Sequence, residues 1–284
     1  MVFKRVTMLF LLVLITSSVH SQINYTSTKW KSPFFTVEAA GSYNLPIQES
    51  SGTIGDFFKF KNYGTSLGWG AQFNFKFGLG DKGIFRPYVT LGYSQLQGSN
   101  DKWAYIDSNE IAHGYPLRGT QLYDSTPGTS KIILRNPYIG LGFEFAWTDI
   151  DKKKRSIIPF LGFEMVLNVI TGIYSQTPLN VPPPNSQFSG LYVPYTIKSD
   201  VRVGIGVSLG ADWRLTKSFG LAFGTKYKLA NLIGKKSDFL QEENKMNLND
   251  AGAQSLNNYL NKDRNIGYFE FYLGASFFVG KTKK

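Results

Sequence analysis

The chain has 284 residues, no cysteine, 29 glycines, 15% aromatic residues and a formal charge of +11. The aromatic content excludes a disordered chain. The missing cysteine excludes disulfide stapling, thiol nucleophiles and thiolate metal sites, and the length allows one large domain or two ordinary ones.

Residues 1–21 read as a signal peptide. Lys4 and Arg5 form a positive start, Met8 to Ile15 form an apolar core, and Val19-His20-Ser21 places cleavage after Ser21. The apolar run is well short of the ~20 residues a helix needs to cross a bilayer. With no cysteine to carry a lipid anchor, residues 22–284 are expected to form one exported domain.

From there the chain alternates with period two, as a strand does when its two faces meet different surroundings. The first strand sets Phe35, Val37, Ala39 and Tyr43 against Thr36, Glu38, Ala40 and Ser42. The second, over 65–79, sets Leu67, Trp69, Phe73, Phe75 and Phe77 against Gly68, Gly70, Gln72, Asn74 and Lys76. That run is too long for an ordinary soluble strand of about 5–6 residues. Similar alternations begin at Phe85, Ile139, Ile157, Val201, Phe219 and Phe269, with Phe160, Val166, Tyr268, Tyr272 and Phe278 as bulky exceptions on the even face. The expected connections are 45–62, 80–83, 98–130, 148–155, 171–199, 214–217 and 231–264, alternately long and short.

The even face is carried mainly by glycine, alanine and serine, too small-featured for a soluble exterior but suited to a narrow barrel interior. The odd face is bulky and apolar. The expected fold is therefore all-β: an eight-stranded antiparallel transmembrane β-barrel, odd positions facing lipid, with short periplasmic turns and long extracellular loops. An aromatic girdle is expected from Phe35, Phe77, Phe85, Trp147, Trp213, Phe219 and Phe277 at the periplasmic side and Tyr43, Tyr93 and Tyr227 at the outer side. Even parity also places Glu38, Glu144, Glu164, Asp212 and Glu270 in the lumen with Lys76, Arg86, Arg202, Arg214, Lys226 and Lys228. Buried charge persists only if paired or wetted. An internal ion-pair network is expected, with Arg86 meeting Glu144 and Lys226 meeting Glu270.

The "SQ" at the signal-peptide junction, the strands "PYIGLGFEF" and "IPFLGFEM", and the closing "GYFEFYLGASFFVG" resemble the eight-stranded outer-membrane barrel families. The style is similar to the outer membrane protein beta-barrel domain group of Bacteroidetes, which includes PorT-like proteins. The resemblance implies a Gram-negative outer-membrane location and, for its PorT-like members, a secretion or gliding-motility accessory role. One departure is the ending, where Val279, Gly280 and a basic tail follow Phe278 in place of a terminal aromatic.

Chemistry has few footholds. After cleavage the one histidine is His113, with Asp107, Ser108 and Glu110 nearby; a lipid A- or phospholipid-modifying enzyme using it is the alternative of a different class. Asp101, Asp107 and Glu110 lack calcium-loop spacing, and no cofactor or metal is expected. A glycine run over 204–210 lies within a strand and lacks the spacing of a dinucleotide fingerprint. Eight strands leave a side-chain-filled interior, which points to a closed lumen; a narrow pore is the further alternative. The leading expectation is a non-enzymatic structural, adhesive or scaffolding barrel working through its long loops. The proline-rich 177–195 loop and the polar 237–263 loop, with a short helix over 251–260, are the recognition candidates. Expected partners are outer-membrane lipids and lipopolysaccharide, and proteins at the loops; the basic 149–155 turn would touch headgroups, and nucleic acid is not expected in this compartment.

Overall fold

The computed structural model describes residues 33–54, 57, 61–80, 83–107, 123–148, 157–178, 194–236, 245–248, 250–251 and 263–280. The signal peptide, His113 with Ser108 and Glu110, the 149–155 turn and nearly all of the expected 251–260 helix lie outside them. For 103–107, 123–127, 178 and 246 the backbone alone is described.

Among the described residues ten strands follow one another: β1 Phe35–Ile47, β2 Leu67–Phe77, β3 Phe85–Asn100, β4 Trp103–Asp107, β5 Tyr123–Ala146, β6 Ile157–Pro178, β7 Tyr195–Arg214, β8 Phe219–Ile233, β9 Lys245–Met246 and β10 Gly267–Val279. β1 pairs antiparallel with both β2 and β10, and β3 with both β2 and β5, so the sheet closes on itself. β4 carries on from β3 in the same register on β5 after a bend at Asp101 and Lys102. β9 is a two-residue parallel addition to β7. The closed wall is thus eight antiparallel strands: β1, β2, β3, β5, β6, β7, β8 and β10.

Register sets the dimensions. The partners run Thr36, Lys76, Tyr88, Gly142, Glu164, Gly206, Lys228, Tyr268 and back to Pro46. One circuit therefore returns to β1 ten residues higher (46 − 36). Eight strands with a stagger of ten tilt by about 40° and enclose a radius of about 8 Å to the backbone. Such an interior has room only for side chains. Glycine then becomes a packing requirement: a Cβ on Gly142 would lie 2.6 Å from the Tyr88 ring, and one on Gly206 2.7 Å from the Glu164 side chain.

The burial pattern keeps the expected parity. β2 reads alternately exposed and buried along its length, with Trp69 and Phe73 outside and Gln72, Asn74 and Lys76 inside. The bulky exceptions Phe160, Val166, Tyr268, Tyr272 and Phe278 all point inward and are buried. A stagger of ten over eight strands is a climb of about 1.25 residues per strand. With that climb removed, Phe35, Phe77, Phe85, Trp147, Trp213, Phe219 and Phe277 fall on one level beside the short turns. Tyr43, Tyr93 and Tyr227 fall on a second level, about eight residues or 20 Å higher along the axis. Trp69, whose ring lies 5.3 Å from that of Tyr93, and Phe269, 5.6 Å from Tyr227, join this upper belt.

Two expectations about the connections are corrected. The 98–130 connection is strand over 98–100, 103–107 and 123–130, and the 171–199 connection is strand over 171–178 and 195–199. β5, β6 and β7, at 24, 22 and 20 residues, run about ten residues past the 9–11 that a tilted strand needs to span a bilayer. The reason is a reversal of polarity rather than a loss of periodicity. Above the upper belt the inward residues become apolar, as at Ile132, Leu134, Ile170 and Tyr174, while the outward face becomes mixed: polar at Gln95, Gln97, Lys131, Arg135, Thr171 and Ser175, and still apolar at Val169, Val201, Leu232 and Ile233. A bulge where Ile170–Gly172 of β6 faces β7 shifts the pattern so that Tyr195 and Ile197 also turn inward.

This upper interior is filled by the first long connection. Ile54, Phe57 and Tyr63 are buried among Leu96, Ile132, Leu134, Tyr174, Tyr195, Ile197, Leu248 and Ile266. The Ser66 amide donates to the Gln97 carbonyl at 2.9 Å, and a Cβ on Gly98 would sit 1.9 Å from the Gly64 carbonyl oxygen. Gly98→Val is therefore expected to unseat the first connection at an overpacking cost of about 1–3 kcal/mol. Limited proteolysis should show new cleavage within 55–66 while far-ultraviolet circular dichroism keeps the strand signal.

Candidate functional site

Two layers fill the interior, one polar and one apolar. The polar layer begins beside the short turns, where even-numbered positions of five strands converge. Lys76 Nζ lies 2.7 Å from Glu38 Oε2 and 3.0 Å from Glu144 Oε2. Arg86 Nη1 lies 3.0 Å from Glu144 Oε1 and 2.6 Å from Asp212 Oδ2. The result is an alternating row: Glu38, Lys76, Glu144, Arg86, Asp212. Asn74 donates to Glu38 Oε1 at 2.8 Å, and the Lys76 ammonium stands 4.6 Å over the Phe160 ring.

Higher up, Lys226 Nζ lies 3.0 Å from Glu164 Oε1 and donates to Gln72 Oε1 at 3.1 Å. Lys228 Nζ lies 3.2 Å from Glu270 Oε1 and 3.8 Å from Glu164 Oε1, and sits 3.4 Å over the Tyr138 ring. Ser94 completes this group by donating to Glu270 Oε1 at 3.0 Å. Thr90 links the two groups: its hydroxyl donates to Asn74 Oδ1 at 2.7 Å and lies 3.5 Å from Glu164 Oε2. All nine of these charged side chains are buried. Each has an opposite charge within 4 Å, which offsets a desolvation cost of several kcal/mol per ion.

Arg86 and Glu144 meet, but three expected placements change. Lys226 faces Glu270 in the β8–β10 register, yet it crosses the lumen to Glu164 on β6, and Lys228 takes Glu270 instead. In a barrel this narrow the opposite wall is as near as the neighbouring strand. Arg202 belongs to the upper layer, where its guanidinium grips Asp250 at 2.7 and 2.9 Å and reaches Asp200 at 3.1 Å. Arg214 forms no ion pair among the described residues; it lies 5.1 Å from the Phe278 ring at the short-turn mouth. A pocket with room for about one water molecule (≈ 10 Å³) lies between Gln72, Asn74, Lys76 and Tyr272.

The second layer lies at the end of the barrel that carries the long connections. Arg264, in the last long connection, stacks 4.2 Å from the Tyr63 ring and 5.5 Å from Phe57, and donates to the Asn62 carbonyl at 3.2 Å and the Leu248 carbonyl at 3.4 Å. Burial pushes the Arg264 guanidinium below its ordinary range and the Tyr63 phenol above its own. Asn231 ties this segment to β8, donating to the Arg264 carbonyl at 2.8 Å and to Asp250 Oδ2 at 3.2 Å. Asp250, Asn231, Tyr63 and Arg264 were not legible as site residues. They sit in or beside long connections, outside the alternating pattern that pointed to the lumen.

The chemistry available here is packing and charge neutralisation. The described carboxylates of the lumen are engaged by cations or hydrogen-bond donors, and among the described residues no group of three or more His, Asp and Glu is placed to hold a metal ion.

No protein-family model matches the chain, and no curated protein matches it either. Among solved structures it is similar to Neisserial surface protein A (NspA), at 12% identity over 86% of this chain and 96% of that one, with a TM-score of 0.41. A major outer membrane protein from Thermus thermophilus is 13% identical over 86% of this chain and 98% of that one, TM-score 0.42. Ail, the attachment invasion locus protein of Yersinia pestis, is 7% identical over 87% and 98%, TM-score 0.37.

Breaking a buried pair costs more than its net contribution, because it strands the partner charge. Glu164→Gln leaves Lys226 without its carboxylate and should lower folded-barrel stability by about 3 kcal/mol in urea titrations. Adding Lys226→Met to it should recover part of that loss. A double variant less stable than the single one would contradict the assigned pairing.

Proposed function

We propose that this chain is an integral outer-membrane barrel without catalytic activity, closed through its lumen, that works through a rigid sheet on the extracellular side. The apolar exterior between two aromatic belts about 20 Å apart fits a lipid-embedded wall. Short turns at one end and long connections at the other fit the usual orientation, turns in the periplasm and loops outside.

The observation that carries the reading is the continuation of β3–β4, β5, β6 and β7 beyond the lipid band. There the outside of the sheet carries polar side chains such as Gln95, Gln97, Lys131 and Arg135, and the inward residues of β3, β5, β6 and β7 pack on an apolar plug. A strand extension packed this way is a fixed surface, unlike a solvated loop, and fixed surfaces lose less entropy on binding. It suits a structural, adhesive or complex-scaffolding role. A secretion or gliding-motility accessory role, as the PorT-like resemblance implies, is the narrower form of the same reading.

Replacing 103–127 with a short turn removes the top of this sheet and spares the lipid-facing part. Pull-downs in mild detergent should recover a defined outer-membrane partner with the full-length protein and not with the shortened one, both retaining heat-modifiable migration. Equal recovery would remove the scaffold reading. In planar bilayers the full-length protein should show no sustained conductance, since the ion pairs and the apolar plug block the lumen in series; steady single-channel steps would contradict closure.

A further inference from the structure

The lipid-facing band does not end in the same way around the barrel. On β1, β2, β3 and β10 it ends in Ile47, Leu67, Gln95 and Gly267, and no cation follows at that level. On the other half three of the four strands carry an exposed cation at that level, and the band on β6 ends in Thr171. Arg135, with Lys131 four residues above it and Ile133 between, ends the band on β5; Lys198 ends it on β7; Lys236 follows β8. Among the described residues none of these four forms an ion pair with a carboxylate. The nearby acids are taken: Asp200 pairs with Arg202, and Asp263 stands 4.0 Å from Lys235.

A second feature lies directly beneath these cations. On β6, β7 and β8 the apolar exterior climbs above the upper belt, through Val169, Val201, Leu232 and Ile233, which are 37–60% exposed. Arg135 pairs with Thr171 of β6, and Val203 with Ile233, so the cations and the apolar patch occupy adjoining strands. Neighbouring strands lie about 4.8 Å apart, which places Arg135 and Lys198 about 10 Å from each other. Hydroxyl-bearing residues lie between them, the exposed Ser199 and the half-buried Thr171, whose hydroxyl donates to the Ile197 carbonyl at 2.8 Å, while Ser175 stands beside Lys131.

We propose that this half of the outer rim is a binding site for one phosphorylated glycolipid of the outer leaflet, a lipopolysaccharide-type molecule. Its phosphates meet Arg135, Lys198 and Lys236, and its acyl chains lie on Val169, Val201, Leu232 and Ile233. Two features favour a phosphorylated sugar over a simple phospholipid. The cations span two depths, with Lys131 about four residues above Arg135, and hydroxyl groups lie between the charges where a sugar would sit. The inference rests on the outer-membrane reading above and adds one site to it.

The test uses the full-length mature protein in nanodiscs, with bisphosphorylated lipid A as the probe and phosphatidylglycerol and dephosphorylated lipid A as comparisons, read by native mass spectrometry. One lipid A should be retained per barrel. The triple variant Arg135→Gln, Lys198→Gln, Lys236→Gln should weaken retention roughly a hundredfold, since a cation at the membrane surface contributes about fivefold. Lys61→Gln, which changes an exposed cation outside this rim, should leave retention unchanged. Equal retention of phosphatidylglycerol, or an unchanged triple variant, overturns the site. Both variants should keep heat-modifiable migration. Failure of the full-length protein to enter the bilayer would instead count against the outer-membrane reading itself.

Discussion

Every backbone amide and carbonyl that faces hydrocarbon must find its partner within the protein, because lipid offers none. Here that constraint is met by the pairing of β1 with β10, which leaves the lipid-embedded wall without an edge. The rest follows from how the ring closes. A stagger of ten over eight strands makes the interior about 8 Å in radius, too narrow for a water column once side chains are present. Inward positions are then filled by glycine where aromatic rings such as Tyr88 and Tyr138 intrude, and by charged groups that reach across the lumen to one another.

The interior changes character along its axis. Near the short turns it is an alternating row of acids and bases; near the long connections it is a dry cluster with Arg264 and the Arg202–Asp250 pair at its margin. The charges of the polar layer are buried and neutralise one another inside the lumen. The apolar layer allows the strands to continue above the membrane with an inside to pack against. The outward-facing sheet therefore depends on the plug: without Ile54, Phe57, Tyr63 and Leu248, the inward residues Ile132, Tyr174 and Ile197 would meet solvent.

Much of this was legible in the sequence. Parity over 67–77 separates the inside from the outside of β2, although Thr65, expected on the outer face, is buried, and the even-numbered acids and bases converge in space because the strands close into a barrel. The length of β5, β6 and β7 was not legible, although their periodicity continues. At Ile132, Leu134, Ile170 and Tyr174 the inward face turns apolar, so a rule that equates apolar with lipid-facing stops at the membrane surface. Individual pairings were also out of reach. Lys226 and Glu270 are register neighbours, and only the barrel radius reveals that Glu164 on the far wall is within reach. Asp250 and Arg264 belong to segments without periodicity, where sequence carries no information on direction.

The two faces of β2 distinguish a lipid-embedded barrel from any other arrangement of these strands. Since the protein has no cysteine, single cysteines introduced at each position from 67 to 77 report on β2 without background. In vesicles containing a lipid-borne quencher, a fluorophore at 67, 69, 71, 73, 75 and 77 should be quenched, and one at 68, 70, 72, 74 and 76 should be shielded. A scan with no alternation, or with its phase reversed, would contradict the barrel described here.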